Sequence, residues 1–335
     1  MTIPPKCQSF FTGKSWLPCK LQLRSDRSMA AFSAVKSSRL ISWRSTGRLQ
    51  QTLAGCVELS GKTLHSGKIC EVKIWPEFAG CGRYFDFQSK LVPASVDFAE
   101  ESPLCTTLCK DGFRVRTVEH LLSALEAKGV DNCRIEIKSL DSEVGDVEVP
   151  ILDGSAGKWV EVIEQMGLKV AVDQSGNSCD KLAPYLNEPM HVWRNDSFVA
   201  AFPSPKVLIS YGIDFPQVPA IGCQWFSSAP FNGSFYAKQI ASARTFCLYE
   251  EVERMHDAGL IKGGSLENAI VCSVSKGWLN PPLRFPDEPC RHKVLDLIGD
   301  LSLSATSGSQ GFPVAHIVAY KAGHALNAAF ARLIK

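Results

Sequence analysis

The chain has 335 residues, 45% of them hydrophobic, enough for one large or two medium domains with real cores. Its formal net charge of +2 hides an asymmetry: residues 1–50 carry nine Lys and Arg against the single acid Asp26, which leaves that segment at +8 and the remainder at −6. A body of that charge has no general attraction for nucleic acid, and no apolar run approaches the ~18 residues of a membrane span, so neither a nucleic-acid partner nor a transmembrane segment is expected and membrane contact is at most peripheral.

The first 46 residues are basic, Ser-rich and nearly acid-free, and they lack the apolar core of a secretory signal. That pattern reads as an organellar transit peptide, mitochondrial in preference to plastid, and is set aside from the fold. Domain I is expected over 47–173. It opens with strand-like runs in "LQQTLAGCVELSG" and "ICEVKIWPEF", continues into a helix in "RTVEHLLSALEAKG" and an alternating strand in "NCRIEIKS", and closes on a helix in "SAGKWVEVIEQMG" with Gly167 at its C-cap. The polar stretch around "DQSGNSCDK" marks a linker over 174–184. Domain II, 185–335, restarts the pattern with strands in "HVWRNDSFVAAF", "KVLISYGIDF" and "NAIVCSV", a helix in "RHKVLDLIGDL" and a strand in "AHIVAYKAG". Matching the two helices by their apolar residues pairs Val118 with Val294, Leu121 with Leu297, Leu122 with Ile298 and Leu125 with Leu301. The expected class is α+β, with two duplicated domains, each a sheet with helices on one face, and the helical layers packed together between the two sheets.

The thirteen cysteines are scattered singly, with no C-x-x-C pair. They read as reduced, mostly buried thiols without a common role.

Helix phase isolates the polar groups. At about 100° per residue, Val118, Leu121, Leu122 and Leu125 form one stripe, while Glu119 lies roughly 110° and His120 roughly 150° from its centre. On the second helix, His292, Asp296 and Asp300 line the face opposite the apolar stripe, and the alignment makes His120 and Asp296 equivalent. If the halves pack face to face, His120, His292 and Asp296 form a His₂Asp set, the ligand count of a catalytic zinc site with a fourth position for water. Spacing alone leaves an ordinary solvated helix face as the competing reading. "GKTLHSGK" is no phosphate loop, because five residues separate its glycines and Ile69 follows Lys68.

The motifs "TVEHLLSAL", "VDNCRIEI", "PILDGSAG", "SARTF", "GLIKGGSLENAIV", "RHKVLDLIGDL" and "AYKAGHALN" occur in the order seen in UDP-3-O-acyl-N-acetylglucosamine deacetylases, which the chain resembles over roughly residues 47–335. The resemblance implies hydrolysis of the N-acetyl group of UDP-3-O-acyl-N-acetylglucosamine in lipid A-type biosynthesis, with one zinc ion per chain on His120, His292 and Asp296. It implies Glu119 as general base, and His324, held charged by Asp300, as oxyanion stabiliser and general acid. Thr245 and Lys293 are similar to the family's carbonyl- and substrate-contacting residues. Phe246, Leu104 and His65 resemble substrate contacts, and an acyl channel is implied around Tyr249, Val252, Gly263, Gly264, Ser265, Ala269 and Val271. Zinc versus ferrous iron, acyl length and oligomeric state stay open. Two departures stand out, an organellar leader of the kind a plant mitochondrion would import and the lack of the further C-terminal tail expected of bacterial relatives. The competing functions are a catalytically silent binding protein for nucleotide-linked lipids and a zinc amidase with another substrate; H-E-x-x-H and its variants are missing.

Overall fold

The computed structural model describes residues 40–102, 104–139 and 145–335, so most of the expected leader lies outside the described residues. Its last few positions belong to a strand, Ile41–Leu49, that pairs antiparallel with Asp180–Leu186. Both segments differ from the expected boundaries: the strand starts before residue 47, and the stretch read as a linker runs into its partner. The physical reason is burial. Ile41 and Leu186 are buried and Trp43 packs on the core, an alternation masked by the basic composition around it. The turn before the partner strand is fixed by Asp173, whose Oδ1 accepts the backbone N–H groups of Ser175 and Asn177 at 2.8 Å each.

The first half builds a five-stranded sheet from β1 (Val57–Lys62), β2 (Ile69–Pro76), β3 (Arg83–Phe87), β4 (Lys90–Pro93) and β5 (Cys133–Ser139), in the order β1-β2-β5-β3-β4. The second half builds another from β6 (Met190–Arg194), β7 (Ser197–Pro203), β8 (Leu208–Phe215), β9 (Gly222–Ser227) and β10 (Ala315–Tyr320), in the order β6-β7-β10-β8-β9. The two orders are the same topology. Even the one parallel pair falls in the same place, β5 beside β3 and β10 beside β8. Period-2 alternation aims Ile135 and Ile137 of β5, and Ala315, Ile317 and Ala319 of β10, into the core.

Six α-helices are present among the described residues: α1 (Glu119–Lys128), α2 (Gly157–Met166), α3 (Gly233–Gln239), α4 (Tyr249–Asp257), α5 (Glu288–Leu301) and α6 (His324–Ile334). None is long and apolar enough to cross a membrane. In each half a helix leads into the central strand of the sheet, α1 into β5 and α5 into β10, and a second helix follows that strand. Each half also carries an insert at the same point of the repeat, between its last edge strand and its central helix. The first is a hairpin, Thr107–Lys110 with Phe113–Arg116; the second is a parallel pair, Phe246–Leu248 with Ile270–Ser273, joined through α4.

The two central helices meet antiparallel. Gly299 of α5 sits so close to α1 that a Cβ there would lie 2.1 Å from the carbonyl oxygen of Glu119. One turn along, Ser123 donates to the backbone carbonyl of Leu295 at 2.8 Å and accepts from Tyr236 at 2.8 Å. The pairing that matches Val118 to Val294 also matches Glu119 to Leu295 and Ser123 to Gly299, so these two contacts are mates under the internal symmetry. Both faces of α1 are therefore buried, from Glu119 to Glu126, one on its own sheet and the other on α5. At the far end of α1, Glu126 pairs with buried Arg83 and accepts the backbone N–H groups of Gly311 and Phe312 from the second half at 3.0 and 2.8 Å.

The eleven described cysteines are all free, as expected, but Cys81 and Cys223 are exposed and only five are buried. The expectation of mostly buried thiols is corrected to that extent.

Replacing Gly299 tests the crossing. In an ordinary helix interior Gly→Ala gains roughly 1 kcal/mol, whereas here the added methyl must push backbone. We expect Gly299→Ala to lower unfolding stability by about 2 kcal/mol in a urea titration; a gain would show that the crossing tolerates a side chain.

Candidate metal centre and active site

Because the crossing is antiparallel and nearly symmetric, equivalent residues face each other across it. His120 Nε2 lies 3.6 Å from Asp296 Oδ1, and His292 Nε2, one turn before Asp296, lies 3.4 Å from the same oxygen. The two imidazoles meet edge to face with centroids 4.9 Å apart. One donor atom from each of the three residues falls within 4.8 Å of the others, a separation suited to a single ion.

The donor chemistry fits a divalent metal. His292 Nδ1 lies 3.0 Å from the carbonyl of Ala243, which as an acceptor requires the proton on Nδ1 and leaves the Nε2 lone pair toward the cluster. Burial pushes the His292 pKa down to about 3, so the ring is a neutral ligand. Asp296 is ionised: burial alone would raise its pKa, but the Lys293 ammonium bonded to it holds it well below the carboxylate range. Its Oδ2 accepts from Lys293 Nζ at 2.8 Å, while its buried Oδ1, the atom facing both histidines, has no hydrogen-bond partner. A buried carboxylate oxygen in that state lacks compensation that a cation would provide.

Glu119 stands beside His120, buried, with Oε2 accepting the backbone N–H of Thr106 at 2.9 Å. Burial raises its pKa to about 7, against the pull of the nearby His324. His324 is shifted the other way. Burial would lower it, but Asp300 outweighs that and carries it to about 10. The geometry shows how: His324 Nδ1 donates to Asp300 Oδ2 at 2.9 Å, and the same carboxylate is held by Asn327 Nδ2 at 2.8 Å and by the Thr106 hydroxyl. The His324 Nε2 lies 4.0 Å from Asp296 Oδ2, on the metal-site side. A carboxyl near 7 and an imidazole near 10 are a base and an acid available together. His324 is the first residue of α6, with Gly323 at the N-cap.

An apolar cavity of about 420 Å³ opens beside these groups. Thr245, Phe246, Lys293 and His324 line its inner end, and Leu104, Gly264, Ser265 and Ala269 line its walls with Tyr249, Val252 and Val271. Gly263 does not face it; a Cβ there would lie 2.0 Å from the Thr63 carbonyl, so its role is close packing. His65 lies outside it too. It supports the wall, its Nδ1 accepting from Ile261 N–H at 3.4 Å and its carbonyl from Lys262 N–H at 3.2 Å. Lys293 also sits over the Phe246 ring at 5.9 Å.

Several contributors escaped the sequence reading. Thr106 touches both Glu119 and His324, yet "CTTLC" carries no motif that announces it. Met255, Leu64, Leu266 and Leu279 also line the cavity, as do Cys247, His256 and Ile261. A signal for Met255 existed, since Tyr249, Val252 and Met255 recur at helical spacing on α4, which buries no side chain of its own. The "SARTF" segment does more than supply Thr245: Ala243 orients His292, and Arg244 locks onto fully buried Glu288 at the start of α5 at 2.8 Å. "PILDGSAG" is structural, with Gly154 packed where a Cβ would meet the Asn268 carbonyl at 2.1 Å and its own carbonyl accepting from Thr245 N–H at 2.8 Å.

Residues 50–335 match the family model of LpxC, UDP-3-O-acyl N-acetylglycosamine deacetylase. The chain belongs to the UDP-3-O-acyl-N-acetylglucosamine deacetylase family. Its deacetylase relatives include a "Probable UDP-3-O-acyl-N-acetylglucosamine deacetylase 1, mitochondrial" of Arabidopsis thaliana, 63% identical over 301 residues that span 90% of this chain and 92% of the relative. The UDP-3-O-acyl-N-acetylglucosamine deacetylase of Trichormus variabilis is 47% identical over 292 residues, 85% of this chain and 98% of that protein. That of Thermosynechococcus vestitus is 45% identical over 289 residues, 85% and 93% of the two chains. With 98% of its length matched, the Trichormus protein has no room for the long extra tail expected of bacterial relatives. The mitochondrial expectation agrees with the name of the Arabidopsis protein.

Removing one ligand leaves only two donors at the site. His120→Ala or Asp296→Ala should weaken binding of a divalent cation by at least about 100-fold in equilibrium dialysis, since even outer-shell losses at such sites cost 10–100-fold; unchanged metal content would place the ion elsewhere.

Proposed function

We propose that this chain hydrolyses the N-acetyl group of a UDP-3-O-acyl-N-acetylglucosamine, giving the free amine and acetate, with one zinc ion held by His120, His292 and Asp296, in the mitochondrion. The observation that carries the proposal is the meeting of three metal-type ligands, a base and a charged acid at the end of an apolar cavity. The family membership and the printed names of the relatives supply the substrate class.

A bound zinc ion would lower the pKa of a water molecule and polarise the acetamide carbonyl. Glu119 accepts the proton that water loses as its oxygen adds to the carbonyl carbon. The Thr106 N–H holds one Glu119 oxygen and leaves the other for that proton. His324, charged and oriented by Asp300, hydrogen-bonds the developing oxyanion through Nε2 and then gives its proton to the nitrogen as the C–N bond breaks. Thr245 and Phe246 flank the acetamide and sugar, and Lys293 keeps Asp296 turned so that Oδ1 faces the two histidines. The acyl chain fills the cavity beyond, where apolar walls reward a fatty chain and exclude water. An intact base and acid weigh against a silent binding protein.

The direct test measures acetate release from UDP-3-O-acyl-N-acetylglucosamine. We expect activity to vanish with chelator and in His292→Ala, and to fall by about 10²-fold or more in Glu119→Gln; turnover that survives both metal removal and His292→Ala overturns the reading.

The pH profile tests the acid. The base must be deprotonated and His324 protonated, so activity falls below the Glu119 pKa and above that of His324. In Asp300→Asn the charge that raises His324 is gone while burial still lowers it, so the alkaline limb of kcat/KM moves to lower pH. An unmoved limb would assign the acid to another group.

A further inference from the structure

A second cavity, of about 220 Å³, shares no lining residue with the apolar one. It is polar, smaller than the roughly 300 Å³ at which organic-ligand pockets begin, and suited to an ion-sized group. His65, Lys68, Arg116 and Lys262 line it together with the strand Asp146–Glu148.

Its hydrogen-bond inventory is lopsided. Ile261 N–H donates to His65 Nδ1, so that nitrogen is the acceptor and the proton of the neutral ring sits on Nε2. Nε2 is buried and has no partner, although His65 is only 2% exposed. Burial also lowers the pKa of this ring, consistent with the neutral form. Arg116 and Lys262 have no ion pair or side-chain hydrogen bond among the described residues. The acids nearby are already engaged: Glu148 accepts from His65 N–H and the Thr117 hydroxyl with one oxygen and from Ser66 N–H with the other, at 2.7, 3.1 and 2.9 Å. Asp146 lies 3.8 Å from Arg114 on the exposed side. What remains, at His65 Nε2, Arg116 and Lys262, is three donors with no acceptor among the described residues.

We propose that this cavity binds a phosphate-type oxyanion, either free phosphate or the phosphate of an anionic lipid headgroup. An oxyanion accepts from His65 Nε2–H, from the Arg116 fork and from the Lys262 ammonium, the charge-assisted bonds these groups favour. The three come from separate elements. Arg116 ends the hairpin strand that leads into α1, His65 sits in the turn between β1 and β2, and Lys262 precedes Gly264 and Ser265 of the apolar wall. A bound anion therefore ties that wall to the start of the helix carrying Glu119 and His120. The inference rests on this cavity alone and does not depend on turnover.

The test titrates inorganic phosphate into the full chain by calorimetry at fixed ionic strength in chloride, beside Lys262→Gln and Arg116→Gln. A parallel arm floats the same proteins with vesicles of phosphatidic acid or of phosphatidylcholine. We expect saturable one-to-one binding in one arm, weakened at least tenfold in both variants while melting in phosphate-free buffer is unchanged. Saturation by free phosphate assigns the ligand to solution anions; phosphatidic-acid vesicle binding without it assigns the ligand to a headgroup. Equal affinity in wild type and Lys262→Gln, whose side chain is exposed and dispensable for folding, or no saturable binding in either arm, overturns the proposal.

Discussion

The close passage of α1 over Gly299 is the constraint on which the rest depends. A helix pair with ordinary side chains at the crossing keeps its axes 8–10 Å apart, and the missing Cβ lets the Glu119 carbonyl rest against α5 instead. Two consequences follow from one glycine. His120 is carried within reach of Asp296, and Glu119, next to it in the chain, is buried where its carboxyl is raised toward neutrality. On the proposed reading, the base and the first metal ligand are adjacent because one helical turn has to supply both at a single seam.

Duplication explains why the seam gathers polar groups and is not merely packed. In a two-fold arrangement equivalent positions meet near the axis, as at isologous interfaces between subunits. Identical residues there would set like against like. Here the halves have diverged at the one pair that matters, with His120 in the first and Asp296 in the second, so the self-meeting position became a complementary one. The inserts diverged as well. One half spends its insert on a hairpin that delivers Thr106 to both Glu119 and Asp300, and the other on a strand–helix–strand unit that walls the apolar cavity.

Much of this was legible in the sequence, for identifiable reasons. Helix phase placed Glu119 and His120 off the apolar stripe, and the four-residue match between helices indicated the repeat whose strand orders then agree. Periodicity is local, and these features are local. The strand Ile41–Leu49 is hard to see in the sequence because charge dominates the composition around Arg44 and Arg48, while Ile41 is buried and Trp43 packs on the core. Thr106, Arg244 and Glu288 were invisible for a different reason. Each acts through a contact with a residue far along the chain, and a threonine or a buried ion pair has no periodic signature.

The ligand set also has a thermodynamic consequence. His120 belongs to one half, and His292 and Asp296 to the other, so an ion shared by the three would be held only when the halves are docked. Whatever binds solely to the docked form stabilises it in proportion to the logarithm of its free concentration. If the three residues hold an ion as proposed, docking of the two halves would become a function of the surrounding metal level, and a compartment short of metal would loosen the architecture of the chain along with its chemistry.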